Sequence, residues 1–212
     1  MVWVSGLALD KLKKRYWQAR QEVWEWNRYF TFLIPGAVGR EWRARWLKKN
    51  LGTCGRTPKL AAGVWIADPK NLHFGNNVAM SRGIFITAGG GIWIHDNVSI
   101  GPDSMIWSVN HKFDNPDELV VNQGWEFKKV VIETDVWLGA CSIIKPGVTI
   151  GRGAIISAGT VLNKSVPAFA IVAGNPGRVV GWRKKPEGTA LQGVPGEESQ
   201  DGAAKAAAES GA

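Results

Sequence analysis

A chain of 212 residues, 45% hydrophobic and 21% charged, can bury one sizeable core and is too apolar to remain unfolded. Two cysteines, Cys54 and Cys141, exclude a disulfide framework and fit a reducing compartment. No run approaches the roughly 18 apolar residues of a membrane span, and the start MVWVSGLALDKLKKRYW lacks the pattern of a secretory signal, so a cytoplasmic location is expected. The net charge of +8 raises nucleic acid as a partner, but no helix-turn-helix, zinc finger or aromatic RNA-binding signature accompanies it, and no nucleic acid is expected.

Residues 7–30 place Leu9, Leu12, Tyr16, Ala19, Val23, Trp26 and Phe30 at alternating steps of three and four, one face of an amphipathic helix. Pro35 and Gly36 end it, and GREWRARWLKKN predicts a second short helix closed by Gly52. Residues 1–54 therefore read as a helical N-terminal segment. Its first 52 residues hold eleven Lys or Arg against four Asp or Glu, and six of the twelve Trp. Two readings of these helices stand. Both pack on the main domain, or the basic, Trp-rich helix lies on the inner face of the cytoplasmic membrane as a peripheral anchor.

From residue 66 the character changes to a strict beat of six. Ile132, Leu138, Ile144, Ile150, Ile156 and Leu162 lead successive hexads whose fifth positions are Val136, Ser142, Val148, Ala154, Thr160 and Val166. Ile94, Ile100 and Ile106 keep the same beat, as do Phe74, Met80 and Ile86, with two extra residues between Ile86 and Ile94; Ile66 lies eight residues before Phe74. The fifth residue of one hexad and the first of the next are two apart, so both point to one face of a short strand. Such pairs every six residues build neither a helix nor a meander of hairpins. They build a solenoid of three short strands per coil, with aliphatic columns stacked inside it.

Two stretches fall outside the beat. About twenty-five residues after Ile106, including IWSVNHKFDNPDEL, break it and hold His111, so a loop is expected near 107–130. Residues 184–212, rich in Ala, Gly, Glu and Pro, read as a disordered tail.

The hexads, together with DVWLGA, NKSVP and AGNPGRVV, resemble the hexapeptide-repeat acyltransferases over about residues 55–183, and within them the maltose/galactoside-type and polysaccharide O-acetyltransferases. The resemblance implies a mainly β fold: a left-handed parallel β-helix, against the usual right-handed crossover. It also implies a homotrimer and acetyl-CoA as acyl donor, with no metal. In that family the interrupting loop carries a histidine base, which here is His111 in Ser108-Val109-Asn110-His111. Imidazole, with an ordinary pKa of about 6.5, suits removal of a hydroxyl proton as the thioester is attacked.

Other assignments follow by resemblance. Trp137 is expected against the pantetheine arm, Ala140 and Ala158 along it, and Lys164, Arg178 and Arg183 near the adenosine phosphates. A backbone N–H near Gly139 is the expected oxyanion donor. On the acceptor side Ser81 replaces the asparagine usual in simple sugar acetyltransferases, and Gly89, in TAGGGIW, replaces an acidic residue. Those departures disfavour a small mono- or disaccharide acceptor. Asn110 and Asp114 flank the histidine for acceptor contact or imidazole orientation, and Trp107 and Trp125 are candidates to stack on a sugar ring. Cys141 occupies a turn of the repeat and is read as structural.

The implied activity is O-acetylation of a saccharide hydroxyl, on a cell-surface polysaccharide precursor or a glycolipid. The alternatives are N-acetylation of an amino-sugar and a non-catalytic β-helix scaffold. A zinc carbonic anhydrase on the same fold would need three converging histidines, and none follows His111.

Overall fold

The computed structural model describes residues 6–56 and 58–185. Most of the tail expected over 184–212 lies outside the described residues. Helix α1 spans Gly6–Leu33 and helix α2 Gly36–Asn50, broken where Pro35 cannot continue the first hydrogen-bond ladder. The rest is a parallel β-helix with three walls.

The first wall stacks Thr53–Cys54, Leu72–Phe74, Ile92–Ile94, Val130–Ile132 and Thr149–Ile150. The second stacks Lys59–Leu60, Ala79–Met80, Ser99–Ile100, Trp137–Leu138, Ile155–Ile156 and Ala170–Ala173. The third stacks Trp65–Ala67, Phe85–Thr87, Met105–Trp107, Ile143–Ile144 and Val161–Leu162. A last strand, Arg178–Trp182, turns back antiparallel on Ala170–Ala173.

The hexad leaders are the core. Ile66, Ile86, Ile106, Ile132, Leu138, Ile144, Ile150 and Ile156 are all fully buried, and Phe74, Met80, Ile94, Ile100 and Leu162 nearly so. At about 1.5–3 kcal/mol for each large apolar side chain removed from water, these columns are the main stabilising term. The small fifth positions Ser142, Ala154 and Thr160 are equally buried, because two facing walls leave room for one large residue and one small one at each level.

Helix α2 packs onto the first coils through Trp46 and Leu47, with Phe32 meeting Trp46 edge-on at 5.1 Å. Arg43 is buried between the helices and the second wall. Its guanidinium donates to the carbonyls of Leu60 (3.1 Å), Thr31 (3.3 Å) and Ile34 (2.6 Å). Burial, with Arg40 nearby, pushes its pKa down, so those carbonyls hold a charge that the site otherwise disfavours.

Helix α1 departs from the packed reading. Among its described side chains only those in the C-terminal turns, at Arg28, Thr31 and Phe32, are buried. The apolar stripe at Leu12, Tyr16, Val23, Trp26 and Phe30 is exposed, with Val23 70% accessible. The periodicity specified an apolar face correctly, but no other element among the described residues buries it.

Candidate active site

All three departures from the six-residue beat lie at one corner of the prism, between the third wall and the first. In the lowest coil Asp68 adopts a left-handed conformation and Pro69–Asn71 forms a 3-10 turn. One coil higher, Ala88–Gly91 makes the extra step. One coil higher again, the chain leaves the prism altogether and returns only at Val130.

That excursion begins at Ser108, which is buried. Its hydroxyl donates to the Thr87 carbonyl and accepts from the Gly90 N–H, both at 2.9 Å. Val109–His111 then pairs antiparallel with Trp125–Phe127, His111 standing opposite Trp125. The two rings lie 3.8 Å apart between centroids, tilted by 33°. Nδ1 of His111 is buried and has no hydrogen-bond partner among the described residues. The rest of the loop is held by Gln123, whose side chain donates to the carbonyls of Asn115 and Glu118, both at 2.8 Å, and accepts from Asn115 N–H. Asn110 and Asp114 are exposed on this hairpin.

Beneath Trp125 a cavity of about 680 Å³ opens, lined by Trp107, Phe127, Thr87, Asp68 and Asn71. Trp107 and Trp125 were expected at an acceptor site, and the structure brings them together. Asp68 and Asn71 were not anticipated. Their only trace in the sequence is the eight-residue step from Ile66 to Phe74.

The residues expected along the pantetheine arm lie elsewhere, at the corner between the second and third walls. Trp137 points outward from the second wall, 54% accessible, with Ser99 and Ile155 as neighbours along its column. Ala140 and Ala158 stack in adjacent coils, Gly159 N–H donating to Ala140 O at 2.8 Å. Gly139 is packed so closely that a Cβ there would sit 2.5 Å from the Ala158 nitrogen, so only glycine fits. Ser81 joins this column from below, donating to Ile100 O.

The oxyanion donor expected near Gly139 is not the N–H of Gly139 itself. That group is buried and donates to Ile156 O at 2.7 Å, while its carbonyl accepts from Ser104 and Ser142.

The basic residues separate. Arg178 is exposed opposite Ala173, near the Trp137 corner, and donates to Gly177 O. Lys164 is exposed beyond the third wall. Arg183 is tied to Asp135 (2.9 Å) and Gly153 O (2.9 Å), at the other end of the last strand from Arg178, and its guanidinium is already occupied. Among the described residues no group of three His, Cys, Asp or Glu is placed to hold a metal ion.

One chain thus presents an imidazole with an aromatic cavity at one corner, and an outward Trp with a stack of small residues at another. The first can accept a proton beside a bound ring. The second can take a narrow, extended ligand.

A family model for the bacterial transferase hexapeptide (six repeats) matches residues 129–164. The galactoside O-acetyltransferase of Escherichia coli K12 is 30% identical over 151 residues, covering 71% of this chain and 72% of that protein. A galactoside acetyltransferase solved with coenzyme A superposes with a TM-score of 0.65 at 26% identity, over 86% of this chain and 84% of that one. A hexapeptide-repeat acetyltransferase of Vibrio cholerae solved with acetyl coenzyme A gives 0.62 at 27% identity, over 68% and 77%.

Proposed function

Since the chain belongs to the hexapeptide-repeat acyl-CoA acetyltransferases of the galactoside/maltose type, we propose that it moves the acetyl group of acetyl-CoA directly onto a saccharide hydroxyl, with His111 as general base. The observation that carries this reading is the hairpin. It is the one long break in the repeat, anchored by buried Ser108, and it holds the His111 ring against Trp125 beside an aromatic cavity. As the hydroxyl oxygen attacks the thioester carbonyl, its proton passes to the imidazole, and the imidazolium returns a proton to the departing thiolate of CoA. Trp137, Ala140, Ala158 and Arg178 are the residues for the coenzyme arm, with Lys164 toward its phosphates.

His111 and Trp137 stand at different corners, which supports a site completed between copies of the chain in a homotrimer. Leu119 and Val121 of the loop, 71% and 76% accessible, are the apolar surface a neighbour would cover. The acceptor is read as part of a surface polysaccharide precursor or a glycolipid, because the exposed face of α1 suits a peripheral position on an anionic membrane. Tyr16, Trp26 and Phe30 are exposed there, and Lys11, Lys13, Lys14, Arg15 and Arg20 are exposed around the same helix. No described helix is long and apolar enough to cross a bilayer.

The test is CoA release from acetyl-CoA over a panel of neutral glycosides, glycolipid precursors and amino-sugars. Acceptor-dependent release should fall about 10²–10⁴-fold in His111→Ala, with acetyl-CoA affinity retained by calorimetry. Release confined to amino-sugars would replace O-acetylation by N-acetylation. Failure to bind CoA would leave a scaffold.

A further inference from the structure

Helices α1 and α2 form a hairpin whose facing sides do not close. They meet near the turn, where Arg43 donates to the Thr31 and Ile34 carbonyls. Beyond it they leave a groove of about 770 Å³ between them. Tyr16, Val23 and Asn27 line it from α1, at the spacing of one helix face, and Trp42, Trp46 and Lys49 line it from α2. Tyr16 and Val23 belong to the apolar stripe of α1, so that stripe is also one wall of the groove. Trp46 is buried, whereas Tyr16, Val23 and Trp42 keep 59%, 70% and 46% of their surface in water.

Charge is sorted around α1. Three cations, Arg20, Arg45 and Lys49, line the groove, and among the described residues no Asp or Glu does. Glu22 and Glu25 line a different hollow, with Trp26, Tyr29 and Trp65. The Arg20 guanidinium lies over the Tyr16 and Trp17 rings, 5.8 and 5.3 Å from their centroids. Stacking uses its flat face and leaves the N–H edge for an anion. Arg45 meets Glu41 at 3.4 Å, but both side chains are mostly exposed, and such a pair is worth little. Lys49 makes no ion pair among the described residues.

We infer that this groove holds one anionic phospholipid of the bilayer surface, its phosphate between Arg20, Arg45 and Lys49 and its acyl chains along Tyr16, Val23 and Trp42. The inference builds on the peripheral placement of α1 proposed above and gives it a defined contact. A free phosphate would use the cations and leave the aromatic walls in water. A second copy of α1 would bring six Lys or Arg against three Asp or Glu to a groove that is already cationic, and like charges repel. A phospholipid satisfies both halves. Its phosphate accepts from guanidinium and ammonium N–H groups, and its chains take apolar surface out of water.

The test titrates the full-length protein by calorimetry with dihexanoyl phosphatidylglycerol below its micelle concentration. One lipid per chain is expected to bind, with dihexanoyl phosphatidylcholine and glycerol phosphate each weaker by about tenfold or more. Arg45→Gln with Lys49→Gln should weaken binding by about tenfold or more, and Trp42→Ser should weaken it too. All three side chains are exposed on α2, so the fold and the affinity for acetyl-CoA are expected to stay as in the wild type. Lys11→Gln with Lys14→Gln removes the same charge from α1 outside the groove and should leave lipid affinity unchanged. Equal losses in the two double variants would reduce the effect to diffuse charge and overturn the site. Glycerol phosphate binding as tightly as the lipid, or no lipid bound, would overturn it as well. Absent lipid binding together with an oligomer that Trp42→Ser dissociates would give the groove to a second copy. Lipid binding through Arg45 and Lys49, in a protein that does not float with vesicles, would uphold the site and defeat the peripheral placement instead.

Discussion

His111 and Arg43 put the same physical problem, a polar nitrogen taken out of water, to opposite uses. Arg43 is matched by three carbonyl oxygens, so its fork locks α1, α2 and the second wall together. Arg43→Ala would leave those carbonyls facing a cavity. A loss of about 3 kcal/mol or more in denaturant unfolding is expected, and Arg43→Lys should recover only part of it because an ammonium lacks the planar fork. Among the described residues His111 has no such partner at Nδ1, which leaves that nitrogen open to a further group. Cys141 offers a chemical probe of the other corner. It is exposed beside Ala140, whereas burial raises the pKa of the Cys54 thiol and slows its reaction. Alkylation should therefore mark Cys141 first, and saturating CoA should protect it. Unaltered labelling in the presence of CoA would place the coenzyme elsewhere.

At the scale of elements, neighbouring coils are tied by their corners as well as their walls. Asn76 N–H donates to the Asp96 carboxylate at 2.6 Å, and Asn76 Oδ1 accepts from Arg56 N–H. The Asn76 backbone bond, before any other cause, holds the Asp96 carboxyl below the ordinary carboxylate range. A carboxyl whose folded pKa is depressed contributes stability above its unfolded pKa and loses it as pH falls through the folded value. Asp96→Asn should thus flatten the acid limb of the unfolding curve below about pH 4 and leave stability less dependent on pH there.

The strands themselves were legible because one spacing recurs: Ile132 to Leu162 announce buried columns without any knowledge of neighbours. The stripe on α1 was legible as a face but not as an exposed one, since periodicity says which residues share a side and nothing about what lies opposite. Asp68 was invisible for a different reason. Its step is in the sequence, but its closeness to Gly89 depends on coils twenty residues apart falling into register. His111 and Trp137 were read by resemblance, and their placement at separate corners emerged only from the fold.

For the whole molecule, the α1 face, the His111 corner and the Trp137 corner all point outward from the single chain. If α1 rests on lipid, the wild type should float with anionic phosphatidylglycerol vesicles. The double change Trp26→Ser and Phe30→Ser should abolish flotation while leaving CoA binding intact, because both side chains are more than half exposed on the apolar face of α1. Persistent flotation of the double variant would remove α1 from that role.

The claim that joins the two corners is that His111 of one copy works on acetyl-CoA held by another. Mixing subunits tests it most directly. His111→Ala lacks the base, and Ala158→Trp, at an exposed position, blocks the coenzyme groove, so each protein alone should release CoA at background rates. Co-refolded as mixed oligomers, the two should recover a substantial fraction of wild-type activity, since some sites then combine an intact base with an intact groove. Mixed oligomers that stay as inactive as their parents would contradict the account and place base and groove within one chain.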